Sequence, residues 1–206
     1  MPTDLLRLVQ WLSPAFPTGS YAYSHGMEQA ITDGAVHDAA SAGAWIGDVL
    51  RFGAGWSDAV MLVHAHGGAD LRDLARALAP SAERMRETEE QGAAFAATVS
   101  ALGRDVGPQP LPLAVGIAAR GLDVPLREVV ALYLHAFAAN LAACATRFVP
   151  LGQTQGQALL QALHPIIADL AARAETAPLG AIASASIAGD LAAMRHETLE
   201  VRIFKT

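Results

Sequence analysis

From Val129 to Thr146 the chain runs eighteen residues without an Asp, Glu, Lys or Arg. A stretch of that length has to leave water, either across a membrane or at the centre of a protein. It contains His135, Asn140 and many alanines, and no long run of Leu, Ile or Phe. A buried central helix therefore accounts for it better than a membrane span, and the other segments are expected to pack around it.

Composition agrees with that expectation. The 206 residues suffice for one sizeable core, so a single domain over 1–206 is expected. A hydrophobic share of 52% against 17% charged excludes a disordered chain. Aromatics supply only 6%, so alanine and leucine carry the apolar count, and both favour helix. The net charge is −6 and no basic block occurs, which argues against nucleic-acid binding. The single cysteine, Cys144, cannot form an internal disulfide and suits a reducing, cytoplasmic setting. The first twelve residues, interrupted by Asp4 and Arg7, are too short and mixed for a signal peptide.

Helical spacing recurs along the chain. Leu5, Leu8, Val9 and Leu12 share a face of a first helix, stopped by Pro14. Tyr21–Thr32 reads as a second helix, closed by Gly34, and Asp38 is placed to cap a third. GAGWSD interrupts that pattern, Gly67-Gly68 ends the next segment, and Asp70 can cap a short helix to Ala79. Ser81 introduces a longer one whose charged first half is expected to be solvated and whose second half is expected to be buried. After the loop GRDVGPQPLP come helices over Leu111–Ala119 and Leu126–Phe148. A further helix follows from Gln155, with a kink or boundary expected at Pro165, and a short last helix precedes the tail ETLEVRIFKT. No run of strict alternation suggests a sheet. The expected fold is all-α, a bundle of about nine or ten helices with an extended C-terminal tail.

Two segments hold more recognition chemistry than packing demands. Ser13–Glu28 combines Pro14, Pro17, Gly19 and Gly26 with Phe16, Tyr21, Tyr23, Ser24 and Glu28, shaped backbone carrying rigid aromatic area. In the tail, Arg195, His196, Glu197 and Arg202 alternate with apolar residues ending at Phe204. Such an end is expected to be mobile alone and ordered by a partner, with Phe204 as anchor and Arg202 as donor. The competing reading is an arm folded back on its own domain.

Catalytic and metal signatures are not assignable. No GxSxG elbow, GxxxxGK[ST] loop or strand-linked GxGxxG occurs. His64 and His66 diverge on a helix, a lone cysteine makes no thiolate cluster, and His196 and Glu197 are adjacent. The expectation is no catalytic residue, no cofactor and no dedicated metal site.

LVQWLSPAFPTGSYAYSHGMEQAITDGAV resembles the N-terminal signature of the UreF family of urease accessory proteins. That signature is Ser-Pro-x-x-Pro-x-Gly, then an aromatic segment ending Ser-x-Gly-(Leu or Met)-Glu. Arg86-Glu87-Thr88 with Gly92, then Arg147 with PLGQTQGQ, then MRHETLEVRIFKT match further family segments in order. Phe16 stands where Leu is commoner, and Lys205-Thr206 replaces the more frequent Arg-Ser.

The resemblance implies an all-helical, usually dimeric, non-enzymatic protein working with UreD (UreH) and the GTPase UreG. It would bridge them and regulate GTP-dependent nickel insertion into apo-urease. The residues it points to as partner-binding are Pro17, Gly19, Tyr21, Tyr23, Ser24, Gly26 and Glu28 near the start, and Arg86 and Glu87 mid-chain. Arg147, Pro150, Gly152, Gln153 and Gln157 follow at the helix junction. The tail adds Arg195, His196, Glu197, Arg202 and Phe204. The alternative is a helical nickel-carrying or nickel-buffering protein, for which only the scattered histidines speak.

Overall fold

The computed structural model describes residues 2–206. Ten α-helices account for most of them: α1 (Pro2–Trp11), α2 (Met27–Thr32), α3 (Ala39–Phe52), α4 (Ala54–His66), α5 (Arg72–Ala77), α6 (Ala82–Ala101), α7 (Leu111–Ala119), α8 (Leu126–Phe148), α9 (Gln153–Ala174) and α10 (Ile187–His196). Single 3₁₀ turns lie at Ser20–Ala22 and Leu179–Ala181, and no strand occurs among the described residues. The all-α expectation holds.

The uncharged stretch forms α8, which packs against α9, α3, α4 and α2. It is the one helix among the described residues long and apolar enough to cross a membrane, and Val130, Leu134, Ala138, Leu141 and Ala145 are wholly buried against its neighbours. One apolar cluster runs from Leu8 to Phe204 and includes Met27, Ile46, Leu50, Leu62 and Phe95. Burying each such side chain contributes about 1.5–3 kcal/mol relative to leaving it in water. Outside this centre, α4 packs on α7, α7 on α6, and α10 bridges α2 and α6.

Several boundaries follow local chemistry. Asp38 and Ser41 form a reciprocal cap on α3, with the Asp38 carboxylate accepting from Ser41 N–H at 2.8 Å. Ser81 caps α6 by accepting from Arg84 N–H at 3.1 Å.

Three expectations are corrected. The helix read over Tyr21–Thr32 is broken, because His25 (φ 54°) and Gly26 (φ 74°) take left-handed backbone and α2 starts only at Met27. Pro165 neither ends nor divides α9, which continues to Ala174 with the proline on its exposed face. The charged first half of α6 is not a solvated surface: Glu83, Arg84, Glu87 and Gln91 are buried.

Gly92 marks the tightest approach. A Cβ there would lie 1.9 Å from the Gln109 carbonyl oxygen, so the loop before α7 crosses directly over α6. Gly92→Ala is expected to force the two apart, costing about 2 kcal/mol as overpacking does. A thermal melt should shift down by about 5 °C at this chain length; an unchanged midpoint would show that the crossing is not rigid.

Candidate functional site

The left-handed turn at His25–Gly26 positions everything that follows. A Cβ on Gly26 would meet Ala193 N at 2.6 Å, so only glycine lets α10 lie against the start of α2. That contact brings Glu28, in the first turn of α2, beneath the C-terminal segment. The Glu28 carboxylate accepts from Ile203 N–H and Phe204 N–H, both at 2.9 Å. Its Oε2 also lies 3.0 Å from Nε2 of His196, the last residue of α10.

His196 is fully buried, and its Nδ1 faces Glu83 Oε2 at 2.7 Å. Glu83 also accepts from Arg202 at 2.6 Å through its other oxygen. The His196 ring thus lies between two buried carboxylates, and each of them also holds the tail.

A second cluster adjoins this one. Glu87 accepts from Thr206 Oγ1 at 2.9 Å and from Gln91 Nε2 at 3.0 Å, pairs with His25 Nε2 at 2.7 Å, and contacts Arg84. Burial pushes its pKa up, but Arg84 and His25 outweigh burial and hold it at about 2. For His25, burial and then Arg84 lower the pKa against the pull of Glu87, and its Nδ1 has no protein partner. Tyr23 O–H donates to Glu90 at 2.5 Å, and Lys205 Nζ reaches the same oxygen at 3.0 Å. Ser24 N–H donates to Thr206 O at 2.8 Å, and Lys205 N–H to Ala22 O at 2.7 Å. Phe204 sits between Phe148, 5.1 Å away by ring centroids, and the Arg147 guanidinium at 5.7 Å.

The tail is therefore folded back on its own protein, correcting the expectation of an end that is mobile alone. The reason lies in unsatisfied chemistry: Glu28, Glu83 and Glu87 are buried acids, and the tail supplies amides, a hydroxyl and a guanidinium to them. Tyr23, Ser24, Gly26, Glu28, Glu87, His196 and Phe204 are buried in this dock and are not open to a partner in this conformation. Phe204 is a core residue rather than a free anchor. The exposed apolar residues of the tail are Val201 and Ile203, which the sequence reading missed. Alternation outward from a buried Phe204 would have placed Ile203 on the outer side.

The remaining candidates lie at the surface. Pro17, Tyr21, Arg86, Arg147, Pro150, Gly152, Gln153, Gln157, Arg195, Glu197 and Arg202 are exposed, and Gly19 is half-buried in the left-handed region. Arg147 donates to Tyr21 O at 3.0 Å, which joins the opening stretch to the end of α8 beside an apolar cleft of about 190 Å³. Arg195 pairs with Asp33 at 2.8 Å, and Glu197 accepts from Glu83 N–H at 3.1 Å. On α10 an exposed stripe of Ile187, Leu191 and Met194 continues toward the tail. Its four- and three-residue spacing was available in the sequence as an unpartnered helix face. No group of three or more His, Cys, Asp or Glu able to hold a metal occurs among the described residues.

His196→Ala would leave Glu28 and Glu83 facing each other without their shared donor. Breaking such a pairing costs about 3–5 kcal/mol. Urea unfolding should show that loss, and hydrogen exchange at Ile203 and Phe204 should accelerate first. Retained protection at those amides would contradict the clamp.

The depressed pKa of Glu87 contributes stability above its ordinary value near 4.5, lost as pH falls toward about 2. Glu87→Gln should therefore flatten the acid limb of stability between those values. An identical limb would place the acid sensitivity elsewhere.

The family model for UreF matches residues 36–164, more than half of the chain. A urease accessory protein UreF from Cereibacter sphaeroides is 69% identical over 210 aligned positions, covering all of both chains. Proteins of the same name from Paracoccus denitrificans and Jannaschia are 52% and 51% identical, each covering 98% of this chain and 95% and 94% of their own length. On the family-model match and these full-length similarities, the chain belongs to the UreF family.

Proposed function

We propose that the chain is a non-catalytic urease maturation factor. It acts in the cytoplasm, as a homodimer, to bridge UreD (UreH) and the GTPase UreG and to regulate GTP-dependent nickel insertion into apo-urease. The observation that carries this reading is similarity along the whole length to proteins named urease accessory protein UreF. The geometry supports a bridging role because two outward surfaces of different chemistry lie on one rigid core.

The first surface is apolar and formed late in the chain: Ile187, Leu191 and Met194 on α10, with Val201 and Ile203 on the tail. The tail is held from below by Glu28 and Glu83, so its outer edge is presented in a fixed register. This surface suits a stable, largely apolar contact, and we assign it to UreD (UreH). The second is the edge formed by Tyr21 and Arg147, with Pro150, Gly152 and Gln153 close by in sequence. Its aromatic and guanidinium groups are the kind that concentrate binding energy, and we assign it to UreG.

The test is reconstitution of apo-urease activation from purified partners with nickel, bicarbonate and GTP. Leu191→Asp with Ile203→Asp should abolish co-purification with UreD (UreH) while UreG binding through the other surface persists. Tyr21→Ala with Arg147→Ala should weaken UreG recruitment by about 2 kcal/mol or more, as removal of a hot-spot residue does. Full activation by both variants, with unchanged pull-downs, would overturn the assignment.

A further inference from the structure

We infer that His135 on α8 and His164 on α9 form a two-imidazole chelating site for one borderline divalent transition-metal ion of the Ni²⁺, Cu²⁺, Zn²⁺ class. They are 29 positions apart in sequence (164 minus 135), so no spacing motif announces them. The fold brings their ring centroids to 5.5 Å at an interplanar angle of 47°.

Metal geometry matches this separation. Imidazole nitrogens at about 2.0–2.1 Å from one tetrahedral ion put their ring centroids about 5 Å apart. The observed spacing exceeds that by a fraction of an ångström, within the swing of the exposed His164 side chain. The two helices that carry the rings are among the most extensively packed in the fold, so the two backbone positions are held in place before any ion arrives.

The other histidines are mostly committed elsewhere. His25 and His196 face buried carboxylates, His37 bonds the Gly34 carbonyl, and His64 bonds the Ala177 carbonyl. His135 and His164 contact each other instead. Two nitrogen donors leave the remaining coordination positions to water, so the site is open and exchangeable. Imidazole donors select the borderline ions over Mg²⁺ and Ca²⁺, with affinity rising from Ni²⁺ to Cu²⁺.

This inference does not depend on the proposed role in urease maturation, because the probe is the metal ion alone with the intact chain. Isothermal titration with Ni²⁺ should give one site per chain at neutral pH. Either His164→Ala or His135→Gln should weaken it by at least about tenfold, as loss of a ligand exceeds the tenfold or greater effect of losing a group that only orients a ligand. His66→Ala, on α4, should leave it unchanged. In nuclear magnetic resonance spectra, substoichiometric Ni²⁺ should broaden the imidazole signals of His135 and His164 first. Circular dichroism checks folding, and if His135→Gln proves unfolded the exposed His164→Ala decides alone. Absence of binding, or binding unaffected by His164→Ala, would overturn the site.

Discussion

The structure depends on one buried carboxylate. Glu28 accepts two backbone amides from the tail and shares an imidazole with Glu83, so it ties the first 30 residues to the last 10. A buried carboxylate without partners would cost several kcal/mol. The tail is the segment that satisfies it, and so the dock and the tail require each other. The left-handed backbone of His25 and Gly26 sets the direction of that carboxylate, and the close approach of α10 fixes the position of His196.

Around this point the fold handles charge in an unusual place. The first half of α6 turns Glu83 and Glu87 inward, where each meets a cation and a tail donor. The same helix then becomes apolar and enters the main core at Phe95 and Val99. One helix therefore supplies both the polar floor beneath the tail and part of the hydrophobic centre. Asp58, in the wall beside Arg84, shows the limit of this arrangement: burial raises its pKa to about 6, and Tyr133 is its hydrogen-bond donor at 2.7 Å. Arg84 and the Tyr133 hydroxyl offset only part of the effect of burial there.

The consequence for function is a division of labour among residues that look alike in the sequence. The opening stretch and the tail were both read as recognition surfaces. In the fold, Tyr23, Ser24, Glu28, His196 and Thr206 hold one segment on the other, while Pro17, Tyr21, Arg195, Glu197, Val201, Arg202 and Ile203 face outward. The matched family span, residues 36–164, covers the helical centre but neither of these segments. The relatives aligned over the full length include both.

The sequence by itself determined the secondary-structure class, the central helix Leu126–Phe148, the cap at Asp38, the start of a long helix at Ser81, and the family, because these rest on local spacing and on contiguous motifs. It could not reveal that Glu28, Glu83 and Glu87 are internal, since a charged residue at helical spacing reads as solvated unless its partner is known. Those partners, His196, Arg202 and Thr206, lie more than a hundred positions away. The His135–His164 pair was hidden for the same reason. Tertiary structure decided which charges went inside, because only the folded chain brings a buried acid the amides and cations that make its burial tolerable.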